Sequence, residues 1–120
     1  MHAASCHCGK VQIEVAELPP SVTDCNCSIC RRYGALWAHC KRDQVRLQAE
    51  PDALAAYVWG DRTIEFWHCR HCGCMTHYTS VEGQPENRFV INARMLPLAT
   101  LAALKVRRLD GNDTWEFLDS

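Results

Sequence analysis

The sequence has no apolar run approaching the roughly 18 residues that would read as a membrane-spanning helix. Its first residues, Met1-His2-Ala3-Ala4-Ser5, lack both the basic start and the apolar stretch of a secretory signal. A cytoplasmic protein that does not enter a membrane is the resulting expectation. Charge of one sign is missing too: 13 Lys and Arg stand against 14 Asp and Glu, a formal net charge of -1. Nucleic acids and anionic membranes select a net basic face, so both are excluded as expected partners. There is no low-complexity segment, linker or internal repeat, and 120 residues suit one domain over 1–120, as a monomer or a homodimer. Large apolar side chains are scarce as well. Without its nine Cys and 13 Ala, the apolar fraction leaves 35 of them. That is a thin core for this length, so something besides apolar burial is expected to hold the chain together.

What is present reads mainly as β. Residues 10–15 alternate polar and apolar with period two, the pattern of a strand with one face on a core, and Pro19-Pro20 ends it. Further strands are expected at 21–24, 36–40, 45–47, 62–68, 75–79 and 88–92, short and separated by turn residues, which predicts antiparallel sheets. One or two short helices accompany them. One begins near Ser28; the other runs over 97–104, with Pro97 in its first turn and Leu98, Leu101 and Leu104 three apart on one face. Asp110-Gly111-Asn112-Asp113 signals a turn, after which Trp115, Phe117 and Leu118 form an apolar tail expected to pack back on the body.

The nine cysteines carry the chemistry. In a chain expected in a reducing compartment, clustered cysteines read as metal ligands or catalytic thiols before disulfides. Seven fall into three groups: Cys6 and Cys8; Cys25, Cys27 and Cys30; Cys69 and Cys72. Zinc with Zn–S bonds near 2.3 Å needs sulfurs about 3.8 Å apart, supplied by tight turns or by same-face positions of an extended chain. Cys69-x-x-Cys72-Gly73 is the first arrangement; Cys6-x-Cys8 and Cys25-x-Cys27 are the second. Four thiolates close a structural zinc site, whereas three leave a position open. Counting therefore predicts a closed site from Cys6, Cys8, Cys69 and Cys72, and an open, catalytic one from Cys25, Cys27 and Cys30. A second structural zinc with an outside ligand, or a metal-free triplet, stays open as an alternative. Cys40 reads as a small buried hydrophobe and Cys74 as a bystander. His7, His68 and His71 flank cysteines without completing a spacing, and His39 and His77 read as half-buried strand residues.

Cys6-x-Cys8-Gly9, Cys25-x-Cys27-x-x-Cys30-Arg31, Cys69-x-x-Cys72-Gly73 and Ile91-Asn92-Ala93-Arg94, in this order, resemble the glutathione-dependent formaldehyde-activating (GFA) family, also called the centromere protein V family. The resemblance covers most of the chain. It implies a β-tent fold of antiparallel sheets stapled by a structural zinc on Cys6, Cys8, Cys69 and Cys72, with a catalytic zinc on Cys25, Cys27 and Cys30. It implies a carbon–sulfur lyase that joins glutathione, or a related small thiol, with formaldehyde to give S-(hydroxymethyl)glutathione. Glutathione's carboxylates call for cationic or N–H partners, and Arg31, Arg32, Asn92 and Arg94 are the candidates. The competing expectation is a binding module that uses zinc for shape alone.

Overall fold

A computed structural model of the protein describes residues 1–118, which form two β-sheets. The smaller is antiparallel, with β1 (His2–Ser5) beside β2 (Val11–Val15) and β2 beside β5 (Val45–Ala49). The larger has seven strands in the order β10 (Lys105–Leu109), β3 (Ser21–Cys25), β4 (Trp37–Cys40), β9 (Phe89–Asn92), β8 (Met75–Ser80), β7 (Ile64–Cys69), β6 (Leu54–Tyr57). Two short helices complete the frame, α1 (Ser28–Tyr33) and α2 (Leu98–Ala102). The mainly β architecture read from the sequence is what the chain adopts. Among the described residues no helix is long and apolar enough to cross a membrane.

The period-two strand behaves as its pattern dictates. Val11, Ile13 and Val15 are buried, whereas Gln12 is exposed and Glu14 half-buried. Ile13 and Val15 meet Val22, Ala38, Phe89 and Ile91, so one apolar layer joins the small sheet to the centre of the large one. Each large aliphatic side chain buried there contributes about 1.5–3 kcal/mol. A second cluster on the large sheet gathers Trp37, Phe66, Tyr78 and Val90 around Cys25 and Cys30. A third, small one surrounds Cys6 and Cys69 with Val11 and Ala53.

Three departures from the sequence reading concern edges. The sheets are not wholly antiparallel: β10 runs parallel to β3, from Lys105 opposite Ser21 to Leu109 opposite Cys25. Strands β1, β6 and β10 are additional, and their mixed or alanine-rich sequences carry no clean alternation. The late helix stops at Ala102, and its leucines do not share a buried stripe, because Leu98 is 82% exposed while Leu101 and Leu104 pack on the core. The C-terminal tail does fold back, with Phe117 bridging Leu109 and Arg107 over its ring at 3.6 Å. Its apolar side chains nevertheless stay largely in water: Trp115, Phe117 and Leu118 are all exposed.

Candidate metal centres

Four cysteines from distant parts of the chain converge where the two sheets meet. Cys6 follows β1 and Cys8 lies in the turn to β2; Cys69 ends β7 and Cys72 lies in the turn to β8. The two halves follow one plan. The N–H of Cys6 donates to Val11 O (3.0 Å) and that of Cys69 to Cys74 O (2.9 Å), while Gly9 and Gly73 donate back to Cys6 O and Cys69 O. Both glycines have positive φ, 83° and 81°, a backbone that side chains disfavour and that lets the turn close under the sulfurs. All four Sγ atoms lie within 4.8 Å of one another. Cys6–Cys8 and Cys8–Cys69 are 3.6 Å apart, close to the ~3.8 Å edge of a zinc tetrathiolate. Main-chain N–H groups aim at the sulfurs, Val11 at Cys6 (3.3 Å) and His71 at Cys69 (3.4 Å). N–H groups of Cys74 and Cys8 hold the Cys72 thiol down at about 5. Although the Lys10 N–H favours ionisation of Cys8, burial and the neighbouring thiols push it up to about 11. Four thiolates this close repel one another unless a cation sits among them, so the donor set fits zinc.

The triplet is built differently. Cys25 ends β3, Cys27 caps α1 and Cys30 lies in that helix, their Sγ atoms again within 4.8 Å of one another. Gly34, at φ 66°, ends the helix by donating to Cys30 O. Burial opposes ionisation of Cys27, but the N–H groups of Cys30 and Ile29 and the two adjacent thiols outweigh it and lower its pKa. Burial raises Cys30, partly opposed by the Trp37 indole N–H. That N–H is buried with no hydrogen-bond partner of ordinary geometry. No fourth His, Cys, Asp or Glu joins this group among the described residues. Three thiolates therefore fit a zinc ion and leave it short of its usual four ligands.

The triplet forms part of the wall of a cavity of about 610 Å³. Over it lies the turn after β10. Asn26, between two of the cysteines, donates from Nδ2 to Asp110 Oδ1 (3.2 Å) and accepts from the Asn112 N–H (2.9 Å). Asp110 also accepts from Thr114, and the Asn26 and Thr114 contacts keep its carboxyl below the usual range. Gly111 has no room for a side chain, since a Cβ there would collide with Cys25 Sγ. Two rim loops project a tryptophan each, Trp59 and Trp115. Trp115 itself and Arg62, beside the other, stand at φ 60°, a conformation costing a non-glycine residue about 1–3 kcal/mol.

The candidate substrate contacts lie elsewhere. Arg31 and Arg32 are exposed on α1, where Arg32 Nη1 donates to Ser28 O. Asn92 is buried and occupied: it accepts from the Leu36 and Arg94 N–H groups and donates to Met75 O (2.8 Å). Arg94 Nε donates to Gly34 O at 2.6 Å. None of the four lines the cavity; the cation that does is Arg88, with His39 and Tyr78 nearby. A lone Arg at a strand edge reads as surface charge, so no sequence signal singled it out. Cys40 is half-buried and donates to Ala38 O, and Cys74 is half-buried beside Cys72. His7, His68 and His71 join neither cysteine group. His39 is exposed at the cavity, and His77 is fully buried rather than half-buried.

Two comparisons agree with this geometry. The chain is similar to a crystal structure of a Rhodobacter sphaeroides protein, with 33% identity over 87% of this chain and 98% of that one, and a TM-score of 0.69. Residues 1–104 match the family model described as glutathione-dependent formaldehyde-activating enzyme, so the chain belongs to the GFA family.

Proposed function

We propose that the protein is a zinc-dependent carbon–sulfur lyase that reversibly adds a small thiol to formaldehyde, glutathione being the thiol named in the family's description. The observation that carries this reading is the three-cysteine group on the wall of a cavity, one donor short of a closed site. In the reaction the thiol sulfur forms a bond to the carbonyl carbon, the C–O π bond opens, and the thiol proton ends on the new hydroxyl. No oxidant or reductant is needed. Zinc held by Cys25, Cys27 and Cys30 would supply a cation that favours the thiolate of an arriving thiol over its protonated form.

The chain's own residues do the rest. Cys25 and Cys30 are anchored in the sheet and helix, so the triplet is a rigid base. Phe66, Tyr78 and Trp37 pack edge and face over it and reduce water around the reacting sulfur. Burial pushes the Tyr78 hydroxyl up to about 12, so at neutral pH it stays a neutral donor inside the cavity. Holding thiol and aldehyde together there replaces a bimolecular encounter with a local one. Cys6, Cys8, Cys69 and Cys72 hold a second, structural zinc in this reading.

The test is magnetisation-exchange NMR on equilibrium mixtures of ¹³C-formaldehyde with glutathione and, separately, with 4-(mercaptomethyl)benzoate. Wild-type protein is expected to speed exchange with at least one thiol, and Cys27→Ser to abolish the effect. No acceleration with either thiol, from protein carrying two zinc ions, would contradict the proposal.

A further inference from the structure

The cavity has a polarity of its own, separate from its cysteines. Glutathione brings two carboxylates and an ammonium group, each of which loses hydration on entering and needs a partner. Against these the lining offers one guanidinium, Arg88, whose Nε already meets Glu86 Oε2 at 2.6 Å, and one carboxylate, Asp61, whose Oδ1 already accepts from the Thr63 N–H and hydroxyl, with His39 and Thr23 as the other polar side chains. Most of the remaining wall is apolar or aromatic, including Ile29, Ile64, Phe66 and Tyr78, with Trp59 and Trp115 at the rim. These groups form a chain of contacts. Cys30 lies beside the Trp37 indole N–H. Trp37 meets Tyr78 edge-on at 4.8 Å, and Phe66 lies against Tyr78 at 5.4 Å. Arg88 in turn lies beside the Tyr78 hydroxyl. The sequence of environments is thiolate, aromatic, guanidinium.

We infer that the thiol this cavity takes is an aromatic or branched apolar thiol with one carboxylate, rather than glutathione. Its sulfur lies toward Cys25, Cys27 and Cys30, its body against Phe66 and Tyr78 between the two rim tryptophans, and its carboxylate on Arg88. The inference rests on the thiol-handling reading of the triplet. It adds a specificity that resides in Arg88, Trp59 and Trp115. The volume of about 610 Å³ accommodates such a ligand. The rim tryptophans are exposed in the free protein, and stacking on an aromatic ligand would shield them from water.

The experiment uses the zinc-loaded chain and three probes: 4-(mercaptomethyl)benzoate, benzyl mercaptan and glutathione. Binding is followed by calorimetry and by tryptophan fluorescence, since Trp37, Trp59 and Trp115 line the cavity and only Trp67 does not. The mercaptobenzoate is expected to bind at least tenfold more tightly than glutathione. Arg88→Gln should bring its affinity down to that of benzyl mercaptan, with Arg88→Lys retaining most of it. Trp59→Ala should weaken both aromatic thiols several-fold and leave glutathione unchanged. Glutathione binding as tightly as the mercaptobenzoate, or an Arg88→Gln protein that is folded and binds the mercaptobenzoate normally, would overturn the inference. The exchange experiment separates this from failure of the lyase reading. Tight mercaptobenzoate binding without faster exchange keeps the ligand class and removes the lyase; faster exchange with glutathione alone keeps the lyase and overturns the ligand class.

Discussion

The two cysteine groups use the same donor atom and differ in what surrounds it. The first draws its ligands from both sheets, across more than sixty residues of chain, and buries Cys6 and Cys69 to 3% and 0% exposure. The second draws on one short stretch, the end of β3 and the start of α1, and borders a cavity. A metal in the first site would close a long loop and supplement a core that the scarcity of large apolar side chains leaves thin. A metal in the second would cross-link residues already held by local backbone, so its removal is expected to cost the fold little. Ligand separation along the chain and ligand number are what distinguish the proposed staple from the proposed working site.

The comparison is broken most severely at Cys69. Cys69→Ser is expected to cost more than about 5 kcal/mol, enough to unfold the domain, because structural zinc binding contributes directly to folding free energy. Thermal melts with zinc analysis check this. A folded variant with unchanged melting temperature and zinc content would remove the staple.

Acid sharpens the comparison with a residue at neither site. His77 is buried, stacked on Phe89 at 4.6 Å and hydrogen-bonded to Thr76 Oγ1, and burial, with the Arg42 charge, lowers its pKa to about 3. The unfolded chain therefore binds this proton more readily between about pH 6.5 and pH 3, so stability is full above that window and is lost as pH falls through it. The loss from His77 is about 2 kcal/mol between pH 7 and pH 5. Urea titrations of wild type and His77→Phe at the two pH values measure it: the variant should lose less stability by this amount. Zinc content followed in parallel separates this slope from acid release of metal.

A smaller effect is expected at Gly111. Gly111→Ala drives a Cβ into Cys25 Sγ and to 3.2 Å from Cys27 Cβ. The fold should survive with a loss of about 1–2 kcal/mol, a typical overpacking cost. Zinc at the triplet should leave faster, and zinc at the four-cysteine site at an unchanged rate. Equal acceleration at both sites would mean that the two are coupled.

Much of this was legible in the sequence. The alternation at Val11, Ile13 and Val15 and the order of the seven clustered cysteines point to the buried strand and to both thiol groups, because strand period and ligand spacing are local quantities. Edge strands and substrate contacts are set by tertiary neighbours, and there the reading went astray. Lys105–Leu109 becomes a strand only because β3 lies alongside to pair with it. Asn92 and Arg94 look like ligand contacts by type, yet the fold uses them for backbone groups of Leu36, Met75 and Gly34. Arg88 becomes notable only through Tyr78 and the cavity. The C-terminal turn reads as a generic Asp-Gly-Asn-Asp signal, and its role over Cys25 depends on Asn26, 84 residues away from Asp110.

The most direct test of the difference between the two sites is the time course of zinc transfer to a chromophoric chelator, recorded together with circular dichroism. The account predicts two zinc ions per chain, one released rapidly with the β-sheet signal intact and the other released only as that signal is lost. A single phase in which both ions leave with unfolding, or one ion per chain, would contradict it.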